Sequence, residues 1–341
     1  MGEGRPDVRT GLALRDPIPW HDLVLTTETA EQTDYELLMV PEIAGREAFA
    51  TLAGLARATY RIGLGAGVVP VDTRSLEVIA MGAASVHEQS RGRMTLGIGA
   101  GAAGPGSMNR LRESAAWLRD ALARRPVRLS DGEVFALSLD PGPEPLPIWI
   151  AALGEKTMRL AGEVADGVLL NWCTPERVSR AKELVREGAE ASGRDPADVT
   201  IGVYVRACVG QEDDVALPAL KSAAAEYAAQ PHYRRQFDAS GLGREAEAAA
   251  AAGTDLAKVP DPLVRSVCLL GDSTDATARL AAYRAAGADL PIVYPVASLE
   301  AVSSIQATVL ALAPSPKLDF EGPAISPRWA VDYDLHGEHG E

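Results

Sequence analysis

The feature that most constrains this chain is its regular alternation of short apolar segments with longer amphipathic ones. Eight segments have the length and apolar character of buried strands, and segments with apolar residues at helical spacing separate them. Such alternation indicates a parallel sheet. Eight repeats favour a closed (β/α)8 TIM barrel, in which functional residues lie at the carboxyl ends of the strands. The predicted strands are Arg9–Leu14, Leu37–Val40, Arg61–Val68, Met94–Ile98, Ile148–Ala151, Gly167–Asn171, Thr200–Val209 and Leu290–Tyr294.

The helices between these strands carry their apolar residues on one face. Ser75 is a suitable cap for the third helix, Gly92 ends it, and Pro175 suits the first turn of the sixth. The predicted helices are Trp20–Thr33, Arg46–Ala58, the segment between Ser75 and Gly92, Ser107–Ala123, Lys156–Ala165, Pro175–Ala191, Ala276–Ala286 and Ser298–Ala313.

Three segments depart from the repeat. Residues 127–147 are rich in Pro, Gly and Asp, which predicts a connector with one small hairpin. Residues 211–264, after strand seven, are alanine-rich and predict a helical insertion beside the site. Residues 314–341 are rich in Pro, Asp, Glu and His, which predicts a loosely ordered tail. We therefore predict a single barrel domain over residues 1–313.

Composition excludes several classes of partner. The chain of 341 residues has a formal net charge of -14, which argues against nucleic acid or an anionic membrane as a partner. No apolar run has the length of a membrane span, and residues 1–16 lack a signal-peptide core. The cysteines Cys173, Cys208 and Cys268 are scattered, without a metal-ligand cluster around them. This usage is typical of a reducing cytoplasm.

Glycines mark the ends of strands three and four within Tyr60–Gly106, and a second motif spans Pro147–Trp172, PIWIAALGEKTMRLAGEVADGVLLNW. Glycines in a strand indicate a bulge or the close approach of another group. The segments GLGAGVVPVDTRS (63–75) and MTLGIGAG (94–101), together with the second motif, resemble the luciferase-like superfamily of flavin- and deazaflavin-dependent oxidoreductases. A weaker similarity lies at 269–295. The resemblance covers roughly Thr10 to Ala313 and implies a TIM barrel.

The resemblance also implies where a tricyclic cofactor binds. It places a bulge with a non-proline cis peptide at Gly67-Val68, against one face of the ring, and the ribityl-phosphate tail at the loop 152–156. The backbone amides at a helix N-terminus suit a phosphate. Ordinary alternatives stay open, namely a glycine that only packs in a strand and a solvated first helical turn. The expected cofactor contacts are Gly67, Val68, Gly97, Gly99, Ala152, Leu153, Gly154, Glu155, Lys156 and Asn171.

Residues that would handle substrate or proton are less strongly indicated. Glu42 follows strand two and is the candidate catalytic acid, with a helix-capping or ion-paired role as the alternative. His21, His87 and His232 lie on predicted helices, and we expect them at the surface. Superfamily members that oxidise sugar phosphates have a His and a Trp after strand two, where this chain has Val40-Pro41-Glu42-Ile43. The candidate substrate-pocket residues are Arg15, Trp172, Tyr204 and Tyr294, with packing as the alternative for Trp172.

One motif suggests a different cofactor. Residues 99–104 match GxGxxG after a strand and before a helix, as in dinucleotide-binding folds. The motif lies in the fourth repeat rather than the first, and Asp120, at the spacing of the ribose ligand, lies within a predicted helix. A single match to this short motif is weak evidence for a dinucleotide-binding fold. The barrel interpretation is therefore favoured.

The function that follows is an oxidoreductase that transfers a hydride between coenzyme F420, an 8-hydroxy-5-deazaflavin, and a small organic substrate. An FMN-dependent luciferase-like monooxygenase is the alternative, because FMN shares the ribityl-phosphate anchor. A barrel that binds a flavin-like ligand without catalysis is the alternative from another class. The resemblance also implies a homodimer.

Overall fold

The computed structural model describes residues 8–15, 17–101, 104 and 106–315, and these form a parallel barrel surrounded by helices. Nine parallel strands and a two-stranded hairpin account for the β-structure of these residues. The strands are β1 (Gly11–Ala13), β2 (Leu37–Val40), β3 (Gly63–Pro70), β4 (Met94–Gly99), β5 (Val127–Arg128), β6 (Val134–Phe135), β7 (Ile148–Ala151), β8 (Gly167–Asn171), β9 (Thr200–Val209), β10 (Cys268–Gly271) and β11 (Leu290–Pro295).

Helices connect these strands at close to the predicted positions. The first helix begins at Trp20 and the sixth runs from Pro175 to Ala191, as predicted. The helices are α1 (Trp20–Gln32), α2 (Ala48–Ala58), α3 (Leu76–Gln89), α4 (Ser107–Leu122), α5 (Glu155–Val164), α6 (Pro175–Ala191), α7 (Asp213–Ala228), α8 (Pro231–Ala239), α9 (Gly243–Ala251), α10 (Asp261–Val267), α11 (Ser273–Ala285) and α12 (Ala301–Ala311).

The barrel closes through β9. Its residues 200–204 pair with β8 on one edge and its residues 202–207 pair with β11 on the other. The ring therefore runs β1-β2-β3-β4-β7-β8-β9-β11 and back to β1, which confirms the predicted eight-stranded barrel. In this ring β9 lies opposite β3, four strands away in either direction. The antiparallel β5–β6 pair is the small hairpin predicted between residues 127 and 147.

The barrel interior is filled by large side chains that lie over glycines on other strands. The Trp149 indole covers Gly167 and Gly202, where an added Cβ atom would be 2.5 Å from the ring. Met39 covers Gly65 in the same way. This pairing of large and small residues explains why several strands are rich in glycine, because interiors pack to the density of organic crystals. Outward-facing strand residues pack instead against the helices in the main apolar core.

The insertion after the seventh barrel strand is helical, as predicted, and contains α7 to α10. These helices form their own apolar cluster, which includes Phe237, Leu220 and Leu263, and which also contains Trp172 from the end of β8. The insertion is thereby packed onto the carboxyl ends of the barrel strands.

Strand β10 was not predicted. It follows α10 directly and pairs with residues 206–209 of β9, beyond the point where β8 ends. Its four residues, Cys268–Gly271, are too short to give a periodic signal of their own. The chain beyond Ser315, with most of the predicted tail, lies outside the described residues, and the division into one domain and a tail stays a prediction.

Candidate active site

A cavity of about 670 Å³ opens at the carboxyl ends of the barrel strands. Residues from β3, β4, β7, β8, β9 and β11 line it, and α8 of the insertion forms one wall. Cavities of this size hold a cofactor or a small ligand. The sequence-predicted residues that line the cavity are Glu42, Gly67, Val68, Gly99, Ala152, Leu153, Gly154, Glu155, Asn171, Tyr204 and Tyr294.

Four predicted site residues lie elsewhere. Gly97 lies two residues before the cavity-lining Gly99 in β4, and the Lys156 side chain is exposed on the first turn of α5. Arg15 forms an ion pair with Glu226 of α7 at 3.6 Å, outside the cavity lining. Trp172 is 1% exposed and packs behind the wall against Tyr227 and Phe237, with ring centroids 5.2 and 5.7 Å away. The packing role that the sequence left open for Trp172 is therefore the one that the structure shows.

The end of β3 forms a backbone platform in the cavity. The Gly67-Val68 peptide is cis, as the resemblance implied, and the register between β3 and β4 shifts between Ala66 and Val69. A Cβ atom at Gly67 would overlap the Tyr204 hydroxyl, which donates a hydrogen bond to the Gly67 carbonyl oxygen at 2.9 Å. Only glycine fits at this position.

The side chain of Val68 occupies space that two glycines of β4 leave open. A Cβ atom at Gly97 would lie 2.9 Å from Val68 Cγ1, and one at Gly99 would lie 2.8 Å from Val68 Cγ2. Gly97 therefore supports the platform from below rather than lining the cavity. The result is a stretch of backbone at the cavity wall, low in side-chain bulk, against which a flat ring system can lie.

The loop after β7 leads into the N-terminus of α5. Gly154 is the N-cap residue, and a Cβ atom there would meet no described atom within 4 Å. Gly154 accepts hydrogen bonds from the amides of Thr157 and Met158, whereas no acceptor within the described residues is assigned to the amides of Glu155 and Lys156. Orphan amides at a helix N-terminus bind anions, which fits a phosphate group.

Arg177 adds a positive charge beside this loop that the sequence did not reveal. It is 6% exposed, lines the cavity and donates to the Leu153 carbonyl oxygen at 3.1 Å and to Gln236 Oε1 at 3.4 Å. Arg159 instead forms ion pairs with Glu187 at 2.9 Å and Glu155 at 3.5 Å. Arg180 also pairs with Glu155, and these arginines together lower the pKa of Glu155.

Aromatic rings surround a second buried cation on the opposite wall. Arg206, 3% exposed, lies 4.0 Å from the Tyr294 ring centroid and 5.8 Å from that of Tyr204. Its guanidinium donates to Asn171 Oδ1, and Asn171 Nδ2 donates to the Tyr233 hydroxyl at 2.9 Å. Burial raises the pKa of Tyr204 and of Tyr294, so both hydroxyls are neutral donors near pH 7.

Comparison with known proteins identifies the family to which this sequence is similar. The sequence profile of the luciferase-like monooxygenase family matches residues 4–290. This chain belongs to that family. The resemblance carried by residues 63–101 and 147–172 is thereby confirmed.

Relatives and solved structures agree with this assignment. A 5,10-methylenetetrahydromethanopterin reductase of Methanolobus tindarius is 33% identical over 202 residues, which are 55% of this chain and 60% of that protein. A putative coenzyme F420-dependent oxidoreductase of Mycobacterium tuberculosis is 26% identical over 82% of this chain and 92% of its own length. The solved coenzyme F420-dependent tetrahydromethanopterin reductase of Methanopyrus kandleri shares the fold, with a TM-score of 0.73 at 20% identity over 90% of this chain and 98% of that one.

Glu42, the candidate acid, is held by two partners. Its Oε1 pairs with Arg74 Nε at 3.0 Å, and its Oε2 accepts from the amide of Ala48 at 3.0 Å, at the start of α2. Glu42 lines the cavity, but both carboxylate oxygens are engaged. The geometry favours the capping and ion-paired role that the sequence left as the alternative.

Of the three histidines expected at the surface, His87 is not there, and His232 is partly exposed. His87 is fully buried, and its Nε2 hydrogen-bonds with the carbonyl oxygen of Glu144 at 3.0 Å. His232 of α8 lines the cavity, where burial and then Arg235 lower its pKa. For His87 the prediction was wrong because the loop that contains Glu144 covers this face of α3, a contact that the periodicity of the helix does not show.

The GxGxxG segment is part of the barrel mouth. Gly99, Ala100 and Gly101 line the cavity at the end of β4, while Ala102 and Ala103 lie outside the described residues. The sheet is a closed barrel without the crevice of an open doubly wound sheet, which is where a dinucleotide binds. The segment therefore belongs to the same cavity as the Gly67-Val68 platform.

The two tyrosines of the opposite wall provide a matched pair of variants. Tyr204→Phe removes the donor to the buried Gly67 carbonyl, and we expect the free energy of unfolding to fall by about 1–2 kcal/mol. Tyr294→Phe should change it by less than about 0.5 kcal/mol, because the Tyr294 hydroxyl is buried without a described hydrogen-bond partner. Urea unfolding of both variants measures the difference, and equal losses would contradict it.

Proposed function

We propose that this protein is an oxidoreductase that transfers a hydride between coenzyme F420 and a small organic substrate. The observation that carries the proposal is the Gly67-Val68 backbone platform in one cavity with an anion-binding helix N-terminus. The putative F420-dependent oxidoreductase of M. tuberculosis, which matches 82% of this chain, supports the choice of cofactor.

The residues that would hold the cofactor fit its parts. Gly67 and Val68 would support one face of the ring, with the Val68 side chain seated in the space that Gly97 and Gly99 leave open. The amides of Glu155 and Lys156, with the buried Arg177 guanidinium beside them, would hold the phosphate. Side chains of Glu155 and Lys156 contribute less, because Glu155 is ion-paired and Lys156 is exposed.

The protein's contribution is to bind, orient and exclude water. The bound deazaflavin supplies the carbon that donates or accepts the hydride. If one ring face lay against β3, the other would be turned toward β9 and β11, from which Tyr204, Arg206 and Tyr294 line the cavity. Helix α8 covers the side of the cavity and limits the access of water. His232 on α8 is the titratable imidazole of this wall and a candidate to relay a proton.

A direct binding comparison tests the choice of cofactor. We expect the cofactor-free protein to bind F420 more tightly than FMN in fluorescence titrations. Reduced F420 should then be oxidised by an unsaturated carbonyl compound such as cyclohexenone in the presence of the protein. Tight FMN binding without F420 binding would contradict the proposal and favour the monooxygenase. F420 binding without turnover of any acceptor would favour the barrel that only binds its ligand.

The phosphate site can be tested at Gly154. Gly154→Pro removes a backbone donor and restricts the turn, so we expect F420 affinity to fall by about tenfold. Gly154→Ala retains the amide and adds a Cβ atom that meets no described atom within 4 Å, so its loss should be smaller. Dissociation constants of both folded variants provide the measurement. Unchanged affinity in Gly154→Pro would rule out this loop as the anchor.

We also propose that the protein is a homodimer. Apolar side chains are exposed on the two helices that flank α2, with Val78 and Met81 of α3 at 48% and 46% and Trp20 of α1 at 44%. A second copy would bury this face.

No helix of the described residues is both long and apolar enough to cross a membrane.

Sedimentation at micromolar concentration tests the dimer. The unmodified protein should sediment at twice the chain mass, and the double variant Val78→Glu with Met81→Glu should dissociate because two charges enter the interface. Leu299→Glu, at a residue 87% exposed and outside α1 and α3, is the control and should leave the dimer intact. A monomeric unmodified protein would contradict the proposal.

A further inference from the structure

Arg206 is a buried cation without a counterion in the described part of the chain. It is 3% exposed and lines the cavity, yet no described carboxylate lies within ion-pair distance of it. The carboxylate of Glu226 is instead paired with Arg15. A buried charge is costly unless it is paired, and four surrounding rings offset only part of that cost. The rings are those of Tyr294, Trp172, Tyr227 and Tyr204, with centroids 4.0, 4.8, 5.1 and 5.8 Å from the guanidinium carbon.

The hydrogen-bonding capacity of Arg206 is largely unused. A guanidinium has five N–H donors, and Asn171 Oδ1 is its acceptor within the described residues. Arg93 shows what a structural arginine looks like in the same chain. Its guanidinium donates to the oxygens of Ser90, Thr59, Ile62 and Ala56 at 2.6–3.3 Å. Because Arg206 lines the cavity, its remaining donors are available to a ligand.

A second hydrogen-bond donor on the same wall has no acceptor among the described residues. The Tyr294 hydroxyl is buried with no described hydrogen-bond partner, and the Tyr294 ring lies 4.0 Å from the Arg206 guanidinium carbon. Buried polar groups without partners are rare in folded proteins, and each calls for an explanation. A ligand that accepts from both groups satisfies the two at once.

The position of this pair places it on the substrate side of the cavity. Arg206 is on β9, which lies opposite β3 in the ring, so it faces the Gly67-Val68 platform from across the barrel. The proposed phosphate site, at the loop after β7, lies two strands away in the ring and has its own buried cation, Arg177. Arg206 is therefore available to bind an anion other than the cofactor phosphate.

Building on the proposed function, we propose that the substrate carries a carboxylate, which Arg206 and Tyr294 bind opposite the Gly67-Val68 platform. A planar guanidinium matches the two oxygens of a carboxylate, and a single buried cation balances a single negative charge. The aromatic rings around the guanidinium restrict its rotation and exclude water. Arg206 and Tyr294 thus select acids over the corresponding neutral amides and hold the acid against the cofactor ring.

Benzoate and benzamide, which share shape and differ in charge, are suitable probes. We expect calorimetry on the F420-loaded protein to show benzoate binding at least tenfold more tightly than benzamide. Arg206→Gln should weaken benzoate binding by about thirtyfold or more, because truncating one partner of a buried charge pair is costly. It should leave benzamide binding and the F420 dissociation constant within about twofold. Tyr294→Phe should weaken benzoate binding by about fivefold.

Arg235 provides the matched control. It is an exposed arginine of α8 that also borders the cavity, so Arg235→Gln removes the same charge from a solvated position and should change benzoate affinity by less than about threefold. If Arg206→Gln does not fold, Arg206→Lys replaces it as the test variant. Lysine retains the positive charge but loses the planar fork of the guanidinium, so this variant should weaken benzoate binding by about tenfold. Equal binding of benzoate and benzamide, or an unchanged benzoate affinity in the folded Arg206 variant, would overturn the proposal.

The two proposals fail in different ways. A protein that does not bind F420 contradicts the proposed function, and benzoate selectivity measured without cofactor would then still support a carboxylate site at Arg206. A protein that binds F420 but does not distinguish benzoate from benzamide retains the proposed function and loses the carboxylate site. Loss of F420 affinity in Arg206→Gln would assign Arg206 to the cofactor and overturn its role toward substrate.

Discussion

The hydrogen bond from the Tyr204 hydroxyl to the Gly67 carbonyl spans the barrel from β9 to β3, and the shape of the cavity depends on it. Below this bond the barrel is filled, with Met39 and Trp149 lying over glycines of other strands. Above it the cavity begins. Tyr204 thus closes the floor and holds the Gly67-Val68 backbone from the far side. Because a Cβ atom at Gly67 would overlap this hydroxyl, the glycine and the tyrosine depend on each other.

The alternation of strands and helices was enough to predict the barrel, because each strand end and each amphipathic helix leaves a local signal. The Gly67-Val68 cis peptide followed from family resemblance and not from the residues, since glycine in a strand has several ordinary explanations. Strand β10 escaped prediction because it is short and because its strand partner, the extended end of β9, is distant in sequence. Local sequence patterns thus predict the barrel itself, whereas features such as β10 depend on tertiary contacts that those patterns do not show.

The side chains around the cavity were harder to predict for the same reason. The period of two along a strand places Tyr204 and Arg206 on one face of β9, but it does not reveal that this face is the inner one. The location of His232 in the cavity wall depends on how the insertion packs over the barrel, to which Trp172 and Phe237 contribute. Glu42 was placed correctly at the cavity, yet its partner Arg74 comes from a different strand–helix loop, 32 positions later in the sequence.

The distribution of charge explains how an acidic protein can bind anions. The net charge of -14 describes a surface on which many carboxylates are solvated or paired with arginine, as Glu155, Glu183 and Glu187 are with Arg180. The buried cations Arg177 and Arg206 act at short range in a cavity where the effective dielectric constant is low, and solvent screens the distant surface charges. Both cations line the cavity that such an anion would enter. Because Arg206 is surrounded by rings instead of carboxylates, its attraction for that anion is not neutralised in advance.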